Sequence, residues 1–331
     1  MSGLGNDAPR VSVLINNHNY GRFLGHALQS VLDQRFPMDT VEIVAVDDGS
    51  TDDSREVLAR FAPRVRAVLL TENRGQAAAF NAGFAAASGE IFCLLDSDDW
   101  WEETKLSRVL ERFDAEKDLG IVQHWCQEVD LDGKLVCAHY PSVPPRFSTE
   151  DFLRGSCVFT GTTGLSFLAS VLRKLLPVPE DLRICADSYL YNSILDAPVG
   201  NIPEVLAWRR VHAGNRYAGR LQDPAKLREH RKALSALDRE LARLLSGSGR
   251  NLSDAARRRR RSEELLDDLF LARYAGDWPA AKRRWVESVA QYGGMRRLMK
   301  AAALSLVLVC PELYLDLQDV YARLRNGRTD A

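Results

Sequence analysis

Short apolar runs that end in polar residues recur along the first hundred residues of the chain. Four of them have the length and composition of strands, residues 11–15, 41–46, 65–70 and 91–95, and the last resembles a buried strand of a parallel sheet. Stretches with helical apolar spacing follow each run, and the last of these, residues 103–113, is clearly amphipathic. This alternation predicts a doubly wound, Rossmann-like α/β sheet whose polar strand ends gather along one edge.

The pattern changes after residue 120. Residues 121–129 and 134–140 are rich in strand formers and flank Asp132-Gly133, a dipeptide preferred in two-residue hairpin turns, so we expect a mixed sheet. A last strand is predicted over 205–211. Beyond residue 220 the spacing is helical throughout. We therefore predict two domains, an α/β domain over residues 1–220 and an all-helical C-terminal domain over 221–331.

Composition narrows the classes of protein. With 331 residues, 46% hydrophobic content and 27% charge, the chain can bury one large core and a second, smaller one. The net charge of −1 gives no global field for nucleic acid, so no nucleic-acid partner is predicted. Scattered cysteines without a CxxC pair fit a reducing cytosol. We see no signal-peptide pattern and no apolar run of ~18 residues, and we expect a cytoplasmic protein.

Three carboxylates, Asp96, Asp98 and Asp99, follow the fourth predicted strand within four positions. Carboxylates this close repel one another, and a hard cation such as Mn²⁺ or Mg²⁺ offsets the repulsion while leaving coordination positions for substrate phosphates. Strand ends are also where open α/β sheets bind ligands. A simpler alternative is that Asp99 caps the next helix, because residues 99–102 fit a capping box.

Short polar segments occur in a fixed order along the chain. The first half contains Val-Ser-Val at 11–13, His-Asn-Tyr at 18–20, Asp-Asp-Gly-Ser-Thr-Asp at 47–52, Asn-Arg-Gly at 73–75, Asn-Ala-Gly at 81–83 and Asp-Ser-Asp-Asp at 96–99. The second half contains Thr-Gly-Thr-Thr-Gly at 160–164, Asp-Ser-Tyr-Leu at 187–190 and Arg-Arg-Val-His-Ala-Gly-Asn at 209–215. This series resembles the bacterial family 2 glycosyltransferases with the GT-A fold. The resemblance implies inverting, metal-dependent transfer of a sugar from a nucleotide sugar to a hydroxyl acceptor, in synthesis of cell-envelope polysaccharide or glycoconjugate.

The donor side of such a reaction assigns most of the candidate residues. Asp48 is an acceptor-only group when ionised and can take a ring N–H from uracil, thymine or guanine but not from adenine, which favours UDP, dTDP or GDP sugars. Asp98 is the candidate metal ligand, joined by His212, for which a surface histidine is an equal alternative. The nucleotide-binding candidates are Asn16, His18, Asp47, Asp48, Arg74, Gly75, Asn81, Asp96 and Ser97.

The acceptor side needs a base opposite the leaving group. Asp187 matches the family's catalytic position, and a base there implies inversion at the anomeric carbon. The alternative is that Asp187 caps a helix. The family commonly shows Glu-Asp where this chain has Ala186-Asp187, and a tyrosine where it has His18. Thr162, Thr163 and Gly164 are the candidate acceptor-binding residues, for a glycan, lipid-linked or other hydroxyl acceptor.

Two other functions would use the same general fold. A sugar-nucleotide pyrophosphorylase expects a basic, glycine-rich loop after the first strand, and residues 16–21 do not supply one. An inactive binding module would work through its helical tail. That tail contains five arginines at 257–261, which predict a solvated helix face or, less often, a contact with anionic lipid or nucleic acid. Residues 296–309 predict either a buried bundle helix or a peripheral contact with the inner face of the cytoplasmic membrane.

Overall fold

The computed structural model describes residues 8–137, 143–154, 156–194, 197–212, 214–215, 220–247, 253–315 and 317. Within them, ten strands form one mixed sheet: β1 (Val11–Asn17), β2 (Val41–Asp48), β3 (Arg66–Leu70), β4 (Ile91–Asp96), β5 (Trp100–Trp101), β6 (Ile121–Val129), β7 (Leu135–Cys137), β8 (Arg146–Phe147), β9 (Leu165–Leu168) and β10 (Val199–Arg210). The helices are α1 (Gly21–Leu32), α2 (Ser54–Arg60), α3 (Gln76–Ala86), α4 (Lys105–Ala115), α5 (Thr149–Arg154), α6 (Ala169–Leu172), α7 (Ala186–Ser193), α8 (Pro224–Gly247), α9 (Asp254–Tyr274), α10 (Trp278–Ala290) and α11 (Gly294–Val309).

The order of the strands confirms the predicted doubly wound, mixed sheet. It runs β3-β2-β1-β4-β9-β6-β10-β5, with β7 beside β6 and β8 beside β10. Strands β1 to β4 are parallel, whereas β9 is antiparallel to both of its neighbours. The chain builds outwards from β1 to β3 and then returns to add β4 on the other side of β1. This reversal makes a switch point between the carboxyl ends of β1 and β4, the place where such sheets bind ligands.

Helices cover both faces of the parallel strands. Val13, Ile15 and Leu95 belong to a buried cluster that includes residues of α1 and α4. On the opposite face, α3 approaches so closely that a Cβ on Gly83 would lie 3.3 Å from Val46. The alanines of α3 allow this approach, because small side chains let a helix pack against a sheet at short distance.

The mixed half of the sheet differs in detail from the sequence prediction. The hairpin of β6 and β7 forms around Gly133, whose φ of +77° suits a glycine. Residues 138–140 of its predicted second strand lie outside the described residues. Strand β10 begins at Val199, earlier than the predicted 205, because its first half pairs with β8 and with the start of β6.

The chain divides into two compact units. The first comprises Met1–Phe152 with Cys157–Arg210, and the second comprises Leu153–Ser156 with Val211–Ala331. The division near Arg210 precedes the boundary at 220 that the sequence pattern suggested. The second unit is helical, with α9, α10 and α11 packed around Leu269, Phe270 and Val307. Among the described helices, none combines the length and the apolar character needed to cross a membrane.

Candidate functional site

Asn16 and Asp96 form the floor of the site at the switch point. They are paired residues in adjacent parallel strands, at the carboxyl ends of β1 and β4. Both polar atoms of the Asn16 amide are buried and have no hydrogen-bond partner among the described residues. The hydroxyl of Ser97, one residue beyond β4, is also buried without a hydrogen-bond partner among the described residues. Buried polar groups are nearly always paired, so these atoms are suited to a ligand.

Asp48 organises the neighbouring strand end. Its two carboxylate oxygens accept the backbone N–H groups of Arg74 at 2.7 Å and Gly75 at 2.8 Å. His18 packs beside them, with Nδ1 donating to the Asp48 carbonyl oxygen at 2.7 Å. Gly75 has a φ of +93°, and a Cβ there would lie 2.7 Å from the Arg183 backbone. The loop therefore requires glycine at this position.

Two of the predicted nucleotide ligands are already committed to protein groups. Asp47 is fully buried, and its carboxylate accepts from Arg55 Nε at 2.9 Å and from the amide of Asn17. The Asn81 amide both donates to and accepts from the backbone of Val178. These contacts give both residues supporting positions, since neither has the unpaired polar atoms that Asn16 offers.

The side chain of Asp99 binds Thr163 and Arg210 inside the first unit and does not cap a helix. One carboxylate oxygen accepts from the Thr163 hydroxyl, and the other accepts the backbone N–H of Arg210 at 2.9 Å. The predicted capping role of Asp99 is wrong, because residues 100–101 form β5 and α4 begins only at Lys105, with Thr104 as its N-cap.

Asp187 lies in the first turn of α7. The N-cap of this helix is Cys185, in a left-handed conformation with φ +56°, so the alternative of Asp187 as a capping residue is wrong. The Thr162 hydroxyl donates to Asp187 at 3.3 Å, and Gln76 accepts the backbone N–H of Ala186 at 2.8 Å. Thr162, which contacts Asp187, is next to Thr163, which contacts Asp99. Gln76, which contacts Ala186, is next to Gly75, which contacts Asp48. Asp48, Asp99 and Asp187 are therefore linked through neighbouring residues, and we call this set of contacts the network.

The electrostatics show how close these acids are. Burial, and then the charges of Asp99, Asp98 and Asp187, raise the pKa of Asp96 well above its ordinary value. Burial and the charge of Asp98 raise the pKa of Asp99 to about 7. Burial likewise raises the pKa of Asp187. Each shift has the direction expected where negative charge is costly to hold, and a bound cation would lower that cost.

The four acids differ in accessibility. Asp98 and Asp99 are buried, at 7% and 4% exposure, whereas Asp96 and Asp187 are partly exposed. Within the described residues no group of three or more His, Cys, Asp or Glu side chains is arranged to hold a metal ion by itself. His212 belongs to the second unit, where its Nδ1 accepts from Gly214 at 3.1 Å, and its role as a metal ligand stays a prediction.

The sequence interpretation assigned no role to Arg209 and Gln76, and it gave Thr163 a different one. Thr163 had been assigned to the acceptor, but it supports the acids with its hydroxyl and accepts from Trp101 Nε1 at 3.0 Å with its carbonyl. Burial alone would lower the pKa of Arg209, but the carboxylates of Asp99 and Glu128 raise it. Arg209 is thus the counter-charge to the cluster. The alternation of side chains between the two faces of β10 could have indicated that Arg209 points into the unit. No sequence pattern indicated the hydrogen bond between Gln76 and Ala186.

The fold and the acid cluster define an α/β protein with a ligand site at the end of its parallel strands. Residues 12–176 match the sequence profile described as "Glycosyl transferase family 2". The chain is 36% identical over 217 residues to an uncharacterized glycosyltransferase of Nostoc sp., which covers 63% of this chain and 66% of that protein. It is 30% identical over 197 residues to the succinoglycan biosynthesis protein ExoO of Rhizobium meliloti, covering 56% of each. The match therefore spans about two thirds or less of these relatives.

Two solved structures share the fold. Staphylococcus aureus TarS 1-349 in complex with UDP-GlcNAc has a TM-score of 0.59 at 16% identity, covering 97% of this chain and 90% of that one. The mannosyltransferase PcManGT of Pyrobaculum calidifontis, in complex with GDP-Man and Mn²⁺, has a TM-score of 0.58 at 19% identity, covering 98% and 89%. This chain belongs to the family 2 glycosyltransferases and has the GT-A fold with a helical C-terminal region, as the sequence segments predicted.

Proposed function

We propose that this protein transfers a sugar from a nucleotide-sugar donor to a hydroxyl acceptor, in synthesis of an envelope polysaccharide or glycoconjugate. The observation that carries the proposal is the convergence of Asp96, Asp98 and Asp187 in one unit, evident from the effect of the other two charges on the pKa of Asp96. The naming of ExoO as a succinoglycan biosynthesis protein supports the polysaccharide context.

The donor would bind across the carboxyl ends of β1, β2 and β4. Each oxygen of Asp48 uses one lone pair on a backbone N–H and keeps another, which can accept the ring N–H of uracil, thymine or guanine. The unpaired Asn16 amide and Ser97 hydroxyl would take up ribose or phosphate oxygens. UDP, dTDP or GDP sugars are therefore the proposed donors, which agrees with the UDP-GlcNAc and GDP-Man of the two structural neighbours.

A divalent cation, Mn²⁺ or Mg²⁺, fits the acid cluster. Its residues are oxygen donors, and the raised pKa of Asp96 reflects a repulsion that a cation would relieve. Asp98 and Asp96 would hold the cation, and water with donor phosphate would complete a shell that the protein alone does not supply. When bound, such a cation neutralises charge on the leaving diphosphate.

Asp187 is the proposed general base. Its ionised carboxylate would take the proton from the acceptor hydroxyl as that oxygen attacks the anomeric carbon and the bond to the diphosphate breaks. Attack opposite the leaving group inverts the anomeric centre. The Thr162 hydroxyl donates to Asp187 and fixes its orientation, so it acts as a positioning residue.

Incubation of the protein with Mn²⁺ and a panel of UDP, dTDP, GDP and ADP sugars tests this proposal through donor hydrolysis and nucleotide binding. We expect binding of at least one of the first three, lost in Asp98→Ala. Asp187→Asn should keep nucleotide affinity while abolishing transfer, and Asp132→Asn, on the exposed hairpin, is the matched control. Metal-dependent binding that survives Asp98→Ala would overturn the cation assignment. Absence of all nucleotide binding would favour the inactive binding module.

A further inference from the structure

A cleft with three arginines lies between α1 and α2 in the first unit. Its volume is about 640 Å³, which is within the range of small-ligand sites, and Arg22, Arg60 and Arg64 line it together with a single acid, Asp53. All four side chains are exposed. We call this the α1–α2 cleft. Its lining carries an excess of positive charge, although the whole chain has a net charge of −1.

The three arginines of the cleft have no acidic partner among the described residues. The ion pairs of the first unit involve other cations, and one of them joins Arg55, also on α2, to Asp47 at 2.9 Å. A guanidinium group presents several donors in a geometry that matches carboxylate and phosphate oxygens. The donors in the cleft are therefore available to an anionic ligand.

The cleft is longer than a single small anion. Along α1 it extends from Gly21 to Gln29, and along α2 it extends from Asp53 to Arg60. At ~1.5 Å per residue these two edges are roughly 10–12 Å long. The N-terminal ends of the helices meet, because a Cβ on Gly21 would clash with Asp53. Arg22 lies at that end and Arg60 is the last residue of α2, so a ligand that contacts both must carry several anionic groups.

One end of the cleft adjoins the candidate donor site. The Arg22 guanidinium lies 4.3 Å from the centroid of the Phe23 ring, and the Arg210 guanidinium lies 4.6 Å from the same centroid. The two guanidinium groups are therefore at most about 9 Å apart. Arg210 in turn donates to the carbonyl oxygen of Asp98, the proposed cation ligand, at 2.5 Å. A long ligand in the cleft would thus extend towards the place where transfer is proposed.

We propose that the α1–α2 cleft binds an anionic glycan, a sugar chain with carboxylate or phosphate groups, as part of the acceptor or the product. The choice of a glycan rests on the proposed function, which brings such a chain to Asp98. Phe61 in the lining supplies apolar surface for a sugar ring. Nucleic acid is a poorer match, because its binding involves on the order of six to ten phosphate contacts and the chain as a whole is slightly acidic.

Calorimetric titration of the full-length protein at low salt, without Mn²⁺ or nucleotide, tests the proposal. Tetragalacturonate is the anionic probe and maltotetraose is the neutral one. We expect binding of tetragalacturonate only, weakened by added salt. Arg60→Gln/Arg64→Gln should weaken this binding about tenfold, since each exposed ion pair contributes a factor of roughly three. Gly25→Glu should abolish it by placing a carboxylate in the cleft, where a Cβ would make an ordinary contact of 3.8 Å with Val57.

The control is Lys117→Gln/Lys134→Gln, which removes two exposed cations outside the cleft and changes the net charge equally. It should bind tetragalacturonate as the wild type does. Failure of the wild type to bind this probe, equal binding of maltotetraose, or unchanged binding by both cleft variants would overturn the proposal. So would pyrophosphate or oligothymidylate that binds the cleft as tightly, or a dimer in sedimentation that Arg60→Gln/Arg64→Gln dissociates. Nucleotide binding with Mn²⁺ should be unchanged in all variants, and its absence from the wild type would count against the proposed function alone.

Discussion

The pH dependence of unfolding should reveal the buried, protonated state of Asp99. Its pKa of about 7 arises from burial first and the charge of Asp98 second, whereas an unfolded aspartate titrates near 4. Between these values the folded protein keeps a proton that the unfolded chain has lost. The unfolding free energy therefore falls as pH rises through this window and levels off above pH 7. At ~1.36 kcal/mol per pH unit, the loss between pH 5 and 7 is about 2 kcal/mol, because the folded carboxyl is already half ionised at pH 7.

Asp99→Asn removes this titration, together with the part of the Asp96 pKa shift that the charge of Asp99 causes. The amide keeps a carbonyl oxygen for the Arg210 N–H but does not titrate. The difference in unfolding free energy between wild type and variant should change by about 3 kcal/mol between pH 5 and pH 8. His124, whose pKa burial lowers to about 3, changes stability in the opposite direction but does so in both proteins and cancels in the difference.

Urea unfolding in EDTA, followed by tryptophan fluorescence at both pH values, measures this difference. The chelator matters because a bound cation would favour the ionised acids and mask the effect. A wild-type-minus-variant difference that is the same at pH 5 and pH 8 would refute the assignment of Asp99 as a buried carboxyl with a raised pKa.

Three further predictions concern single side chains. Burial raises the pKa of Asp187, so kcat/KM should begin to fall with decreasing pH at a higher pH than the value near 4 at which an ordinary aspartate titrates. A pH profile of kcat/KM that is flat down to pH 4 would contradict the role of Asp187 as base. Asn16→Ala should weaken nucleotide binding about tenfold without lowering the melting temperature, since the amide has no protein partner to lose; calorimetry and a thermal melt measure both, and a lower melting temperature at unchanged affinity would contradict it. Lys105 is buried, with Nζ 3.6 Å from the Trp101 ring centroid. Because an apolar group of similar volume can replace a buried charge at little cost, Lys105→Met should change the free energy of unfolding by about 1 kcal/mol or less. A loss above about 3 kcal/mol in urea unfolding would contradict this expectation.

The parallel half of the sheet was predictable because its signals are local. Each strand is a short, mainly apolar run, and each polar end follows within a residue or two, as at Asp48 and Asp96. Parallel strands bring those ends to one edge without further information. The positions of Asn16 and Asp96 at the switch point follow from the same rule.

The roles of individual acids were less predictable because they depend on distant partners. Adjacent Asp47 and Asp48 look alike in sequence, but strand alternation points one at Arg55 and the other at the loop of Arg74. Asp99 fits a capping pattern locally, and only Thr163, far along the chain, decides otherwise. Local patterns do not encode such pairs.

Anomalous diffraction from crystals grown with Mn²⁺ and UDP tests the central claim most directly. The account predicts a manganese peak bonded to the Asp98 carboxylate and to diphosphate oxygens, between the carboxyl ends of β1 and β4. The first unit also has the α1–α2 cleft of about 640 Å³, whose lining includes Arg22, Arg60 and Arg64. Diphosphate bound in that cleft, with no manganese at Asp98, would contradict the account.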